Sequence, residues 1–336
     1  MGTAQHRRLR WIMLAPALAF VGLMIVFPLL FTAHLSFSDA FGAVNADTSW
    51  AGTRNYTDAL SDDKRFWPAL WRTVLFTVVA VTVETVLGLA LAMLMRKPFR
   101  GVRVSGRQRL AGEARSAARN ERSEHRRSKS LTRWAANRRA KARPMNLMRT
   151  VLIIPLLATP VAIGVLWLLV LDPTIGIANH VLTAIGLPPQ EFLGSVSQSL
   201  PTLMLIDIWQ WTPMMTIILL AGLSTLPTDP EEAATVDGAG PWQRFRHVIL
   251  PMLGPTLASA LVLRSVDALK TFDIIYATKG AGGGSSFEAE TLNVFAYGLT
   301  FDYQEYALAS AVLVLFTALI VGVVLLLRRG VGRDAT

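Results

Sequence analysis

Cysteine is absent from the 336 residues, which excludes disulfides, thiolate metal sites and cysteine nucleophiles and leaves the redox compartment undecided. Charge is sparse: 17% of residues are Asp, Glu, Lys or Arg, against roughly a quarter in ordinary soluble domains. The six lysines, Lys64, Lys97, Lys129, Lys141, Lys270 and Lys279, never follow a glycine, so the G-x-x-x-x-G-K-[ST] loop that cradles nucleotide phosphates cannot form. His6, His34, His125, His180 and His247 are scattered, with no H-E-x-x-H pair, and G-x-S-x-G is missing. Neither zinc-dependent nor serine-elbow hydrolysis is expected. Catalysis by this chain is not expected, and no cofactor or metal is assigned to it.

What the chain has is apolar surface, with 52% hydrophobic residues. Six stretches are long enough to cross a hydrocarbon layer about 30 Å thick: Trp11 to Leu35, Trp71 to Met95, Val151 to Leu171, Thr202 to Leu223, Pro251 to Ile275 and Leu308 to Leu327. The reading is an all-α integral membrane protein of six transmembrane helices. The first stretch follows Arg7, Arg8 and Arg10 but exceeds the apolar core of a signal peptide, and is kept as a helix. Gly2 is followed by His6 where a myristoylation signal needs Ser or Thr, so no lipid anchor is inferred.

Basic residues crowd before the first stretch, between the second and third, between the fourth and fifth (Arg244, Arg246) and after the sixth (Arg328, Arg329, Arg333). By the positive-inside rule both termini are cytoplasmic. The opposite loops carry Asp39, Asp47, Asp58, Asp62 and Asp63, and Glu288, Glu290, Asp302 and Glu305. Three segments follow: residues 1–100 with the first two helices, a basic cytoplasmic insertion at 101–146, and residues 147–336 with the other four. From Gly101 to Arg143 there are 14 Lys and Arg against Glu113, Glu121 and Glu124, a net +11 in a chain of +10. The run reads as a solvated loop or as a surface for anionic lipid headgroups. Trp134 is its only aromatic residue, so it offers no stacking platform and nucleic acid is not an expected partner.

Between the fourth and fifth stretches lies DPEEAATVDGAGPWQRFRHVILP, residues 229–251. Asp229 suits an N-cap, Pro230 the first helical position, and Glu232 completes a D-x-x-E capping box. Gly238 can adopt the positive φ that ends a helix. Pro241 then opens a second helix carrying Phe245, Val248 and Ile249, which Pro251 is expected to break. The small face of Ala233, Ala234 and Val236 allows close approach of another protein; an ordinary connector is the alternative.

This segment resembles the EAA signature of ABC importer permeases, on Glu232, Ala233, Ala234, Gly238, Val248, Leu250 and Pro251; Val248 is a conservative departure. The rest of the chain outside the insertion is similar to the carbohydrate-importing, maltose and glycerol-phosphate branch. The matching residues include Pro16, Pro28, Ser36, Phe37, Asn55, Tyr56, Phe66, Trp67, Leu70 and Thr73. They continue through Pro155, Pro160, Trp167, Gly176, Asn179, Trp211, Pro213, Leu220 and Gly222 to an F-D-x-I-Y run at Phe272, Asp273, Ile275 and Tyr276. Arg72 stands where that family often has asparagine, and the basic insertion departs from its usual short connection. The resemblance implies a type I ABC importer transmembrane bundle in a bacterial or archaeal plasma membrane. It makes Glu232, Ala233, Ala234, Asp237, Gly238, Phe245, Leu250 and Pro251 the cytoplasmic coupling element. It also implies a partner ATPase dimer that uses ATP and Mg, a second permease subunit and an extracytoplasmic solute-binding protein.

Charges inside apolar stretches cost about 2.5 to 3.5 kcal/mol each and therefore face a cavity or a partner. Helical spacing puts Arg264, Asp267 and Thr271 on one stripe with Lys270 at its edge, and Glu84 is expected at a depth similar to Arg264. The stripe, with Tyr276 beyond it, either lines a substrate path or, through an Arg264 to Asp267 pair that Glu84 can join, holds the bundle together. Asp207, Gln210 and Trp211 combine polar groups with an aromatic face that suits a sugar ring or a membrane interface. Gly280, Gly282, Gly283 and Gly284 read as a flexible turn. The preferred function is a permease subunit moving a sugar or similar polar solute by alternating access. An ion-coupled secondary transporter and a scaffold with a lipid- or nucleic-acid-binding loop are the alternatives.

Overall fold

The structure, a computed structural model, describes residues 3–42, 49–96 and 150–332. The basic insertion, Asp47, and the side chains of Arg7, Arg8, Arg10, Arg329 and Arg333, which enter the orientation argument, lie outside the described residues. Among the described residues five helices are long and apolar enough to cross a membrane: Trp11–Leu35, Phe66–Met95, Val196–Thr225, Pro241–Lys279 and Tyr306–Arg328. The pair Thr150–Leu157 and Pro160–Val170 makes a sixth span if taken together.

Three expected helices differ from their sequence reading. The third is not continuous. The chain bends at Ala158 and Thr159, and the Thr159 hydroxyl accepts the Ala162 N–H at 3.3 Å as a side-chain cap for the helix that Pro160 opens. The fifth is interrupted beyond Leu269 and resumes as Asp273–Lys279. Its carbonyls there find side-chain partners: Lys270 O accepts from Asn293 Nδ2 at 2.9 Å and Thr271 O from Thr291 Oγ1 at 3.2 Å. That answers the hydrogen-bond deficit of an interior helix end. Pro251, expected to break the chain, sits inside a helix. The Phe245–Ile249 segment is a single wide π-turn in which Leu250 N–H donates to Phe245 O, and Leu250–Leu269 continues from it. A proline lacks the N–H for the carbonyl four residues back, and widening the preceding turn gives its ring room. The same arrangement recurs in the first span, where a π-turn at Gly22–Val26 precedes Pro28.

The chain folds as two compact units whose boundaries fall inside long helices. The first comprises Met1–Glu84, Thr159–Trp209 and Gly254–Thr336. Its core gathers Phe66, Leu269, Leu292, Phe295, Leu299 and Phe316. The Pro160–Val170 helix approaches Asp273–Lys279 at Gly164, where an added Cβ would lie 3.1 Å from Thr278 Cγ2. Several of the distributed matching residues are posts within this unit. Buried Asn55 donates to Ser36 O at 2.9 Å and Ser38 O at 2.7 Å, while Tyr56 OH and Ser36 Oγ share a hydrogen bond of 2.7 Å. Phe37 stacks on Trp50 with centroids 5.3 Å apart. Thr73 Oγ1 accepts the Leu292 N–H at 2.8 Å, holding the start of the Leu292–Phe301 helix. Asn179 donates to Pro173 O and Gln190 O and accepts the Gln190 N–H. In contrast, the first span leaves Trp11, Leu14, Phe20 and Phe27 exposed, as a helix solvated by lipid does.

The second unit comprises Thr85–Ala158 and Gln210–Leu253. Within it Gly88 permits two spans to touch, since a Cβ there would stand 2.9 Å from Met215 Cβ. It also contains the paired helices of residues 229–251.

Candidate functional site

Arg264 is the largest fully buried side chain of the described residues. It lies within the Leu250–Leu269 helix and is surrounded by carboxylates from three helices. Its Nε donates to Glu84 Oε2 at 2.6 Å and its Nη2 to Glu84 Oε1 at 3.0 Å, a bidentate clasp onto the Phe66–Met95 helix. Nη2 also reaches Asp207 of the Val196–Thr225 helix, and Nη1 donates to Asp267 Oδ2, one turn further along its own helix, at 2.7 Å. The planar guanidinium can serve all of these because its five N–H groups fork in fixed directions. Side-chain exposure separates the carboxylates: Glu84 is at 0%, Asp207 at 4% and Asp267 at 45%. Three carboxylates thus meet one guanidinium, and only Asp267 opens to its surroundings.

The expected pairing of Glu84 with Arg264 and the placement of Arg264 and Asp267 on one stripe correspond to these contacts. Asp207 joins the cluster as well. The sequence reading had grouped it with Gln210 and Trp211; a lone acid inside an apolar stretch was the signal that it needed a cationic partner. Gln210 is buried, with its Nε2 donating to Ala158 O at 3.3 Å and its Oε1 unpartnered among the described residues. Trp211 is half-buried. Lys270 is exposed and Thr271 half-buried, both at the helix interruption. Tyr276 stands in an aromatic group with Phe272 and Tyr297, centroids 5.2 and 4.9 Å away.

Residues 229–251 form two helices at a fixed bend. The first, Asp229–Val236, begins one residue earlier than the sequence implies: Glu232 N–H already donates to Thr228 O at 3.0 Å. Asp229 is therefore helical, Thr228 precedes it without a side-chain cap, and the expected Asp229–Glu232 capping box is not formed. The acids instead sit in the first turn, where the helix dipole favours them. Gly238 takes φ +82°. Its N–H donates to Thr235 O at 3.2 Å and the Ala239 N–H to Ala234 O at 2.9 Å, the paired bonds of a Schellman ending. Gln243 Oε1 accepts the Gly240 N–H at 2.8 Å and steadies the start of the second helix. Arg244 Nη1 crosses the bend to Thr235 Oγ1 at 3.0 Å. Arg96, at the end of the Phe66–Met95 helix, holds Glu231 at 2.6 Å. Ala233 and Ala234 are accompanied by Val236 at 87% exposure and Trp242 at 67%. Small residues flanked by exposed apolar ones make a surface that another protein could cover. Glu232, Asp237, Phe245, Leu250 and Pro251 lie on the same element.

The glycine-rich loop is not the flexible turn its composition suggested. Gly282 and Gly283 are buried at φ +67°, and Ala289 N–H donates to Gly283 O at 3.1 Å. A Cβ on Gly283 would stand 2.6 Å from Glu290 N, so the glycines are required by close packing. Lys279 ties the loop down by pairing with Glu288 at 2.6 Å and donating to Leu193 O at 2.7 Å and Ser199 Oγ at 3.0 Å. Burial pushes the Glu288 carboxyl up, but Lys279 and backbone donors outweigh it and hold its pKa below the ordinary value. Nearby, Glu290 pairs with Arg65, whose guanidinium lies 4.0 Å from the Phe287 ring centroid. Burial raises the Glu290 pKa and Arg65 offsets only part of that rise. The Arg65–Glu290 pair and the bonds of Lys279 to Leu193 and Ser199 link residues far apart in the chain and carried no local sequence signal.

Comparison with known proteins gives a consistent picture. The family described as binding-protein-dependent transport system inner membrane component matches residues 131–334. The chain is 29% identical to the trehalose/maltose transport system permease protein MalF of Thermococcus litoralis, over 94% of this chain and 91% of that one. It is 30% identical to the sulfoquinovosyl glycerol transport system permease protein SmoG of Agrobacterium fabrum, over 93% and 87%. In fold it is similar to a chain in the crystal structure of a bacterial ABC transporter involved in the import of the acidic polysaccharide alginate. That match has a TM-score of 0.73 at 19% identity and covers 98% of this chain and 96% of the other.

Proposed function

The chain belongs to the family of binding-protein-dependent transport system inner membrane components, and on that premise we propose that it is a permease subunit of an ATP-binding-cassette importer that admits a sugar. The observation that carries the reading is the capped, bent helical pair at 229–251, with Gly238 at φ +82° and exposed Val236 and Trp242. By the positive-inside rule this element faces the cytoplasm, where a separate ATPase dimer binds ATP with Mg and closes on it. A second permease subunit completes the pathway, and an extracytoplasmic binding protein delivers the solute. The names of the relatives, with trehalose/maltose and sulfoquinovosyl glycerol, support a sugar as cargo. Family membership favours this reading over the ion-coupled transporter and the scaffold.

Division of labour among the buried charges follows from their exposure. Arg264, Glu84 and Asp207 hold three helices together, whereas half-open Asp267 and, at the interruption, Lys270 and Thr271 offer hydrogen bonds to a hydroxylated substrate. Tyr276 completes the proposed path. Alternating access then moves the bundle while the coupling pair transmits the closure of the ATPase.

The test is Gly238→Pro in the assembled transporter. A Cβ at this position meets nothing within 4 Å, so the substitution acts through the backbone: proline cannot bring φ to a positive value, and it removes the N–H that Gly238 donates to Thr235 O. Hydrolysis by the partner ATPase should cease to respond to loaded binding protein while the complex remains assembled. An unchanged response would exclude the coupling role.

A further inference from the structure

Immediately beyond the interrupted helix, Phe272, Tyr297 and Phe301 line a cavity of about 280 Å³ together with Asn293, Thr300 and Leu313. Tyr297 lies 5.0 Å from Phe272 and 4.6 Å from Phe301 between ring centroids, and Phe272 stacks on Tyr276. These rings are not sealed into a core: Phe272 and Tyr297 are half-buried, and Phe301 is 64% exposed. The polar members are partly engaged. Asn293 uses one amide hydrogen on Lys270 O and Thr300 its hydroxyl hydrogen on Ala296 O. Among the described residues the second Asn293 hydrogen, its carbonyl oxygen and the Thr300 oxygen remain for a ligand.

We propose that this cavity is a binding subsite for one pyranose ring of the transported sugar, taken up ahead of the polar stripe. The inference rests on the sugar-importer reading. A pyranose has an apolar C–H face and a hydroxylated rim, so it needs aromatic faces beside a few donors and acceptors, the general pattern of a small-molecule pocket. The cavity supplies both. Its connection to the path is covalent and hydrogen-bonded: Phe272 follows Lys270 and Thr271 directly, and Asn293 and Thr291 hold the carbonyls of those same two residues. A ring stacked here would leave its next sugar unit beside Lys270 and Thr271. In a lipid-facing anchor, by contrast, the rings would serve only as apolar surface.

Leucine distinguishes the two roles, because it keeps apolar bulk and removes the ring face. The transporter with its partner subunits is assayed for uptake of labelled glucose, maltose and trehalose, comparing Tyr297→Phe, Tyr297→Leu and Phe272→Leu. The subsite requires the two leucine variants to raise KM about tenfold with maximal rate retained, and the phenylalanine variant to stay close to wild type. Leucine variants with unchanged KM would overturn the subsite and leave the importer reading standing. Failure of wild type to take up any of the three sugars would overturn the pyranose subsite, whereas the importer reading stands or falls with the Gly238→Pro response. Should a leucine variant fail to assemble, saturation-transfer NMR on the wild-type complex in nanodiscs decides. Irradiation of aromatic protons must mark the sugar's ring C–H groups, and this transfer must persist in Tyr297→Phe; no transfer would overturn the subsite.

Discussion

Replacing Arg264 with methionine removes the cation shared by Glu84, Asp207 and Asp267 while keeping an unbranched side chain. Two of those carboxylates have side-chain exposures of 0% and 4%, so water cannot take over the lost hydrogen bonds without entering the bundle. Breaking a buried pair from one side costs about 3–5 kcal/mol because the orphaned charge stays behind. Asp267, at 45% exposure, is resolvated and adds little. Arg264→Met is therefore expected to lose about 3–5 kcal/mol, and Glu84→Gln in that background to restore about 1–3 kcal/mol by deleting one stranded charge. Equilibrium unfolding of the purified chain in mixed micelles measures all four corners of the cycle. A loss below about 1 kcal/mol for Arg264→Met, or strict additivity with Glu84→Gln, would refute the shared-guanidinium account.

Three other outcomes follow from particular contacts. Gly88→Val should cost about 1–3 kcal/mol by overpacking, since even the first added carbon lies 2.9 Å from Met215 Cβ; thermal unfolding of the purified chain measures it. Arg96→Ala should weaken binding-protein-stimulated hydrolysis with only about 0.5 kcal/mol of global destabilisation, because the Arg96–Glu231 pair is partly solvated. The exchange Arg96→Glu with Glu231→Arg should recover the stimulation. Glu288 has its pKa lowered from 4.5, so its stabilising contribution is complete above that value and is lost as pH falls through the lowered one. Melting of wild type and Glu288→Gln should therefore differ most at neutral pH and converge below pH 4.5.

Hydropathy made the membrane class and five of the six expected crossing segments legible, because lipid demands long apolar helices, whereas the third is a bent pair that spans only if its two parts are taken together. Local chemistry also made the Gly238 turn legible, since only a residue free to take positive φ can end a helix that way. Prolines were harder. Pro160 opens a helix after a bend, Pro251 and Pro28 follow widened turns, and Pro16 lies within a helix. Glu84 could be matched with Arg264 by depth, whereas the claim of Asp207 on the same guanidinium depends on how three helices rotate. Lys279 with Glu288, and Arg65 with Glu290, are likewise contacts made by packing. The glycine loop misled because glycine permits both freedom and close approach, and composition does not say which is used.

Site-specific photocrosslinking from position 236, whose native valine is 87% exposed at the end of the first short helix, tests the central claim most directly. The assembled transporter should yield an adduct with its nucleotide-hydrolysing subunit, and the yield should change when ATP is added. An adduct confined to lipid or to the chain itself, with hydrolysis intact, would contradict the proposal that this bent pair couples the bundle to ATP.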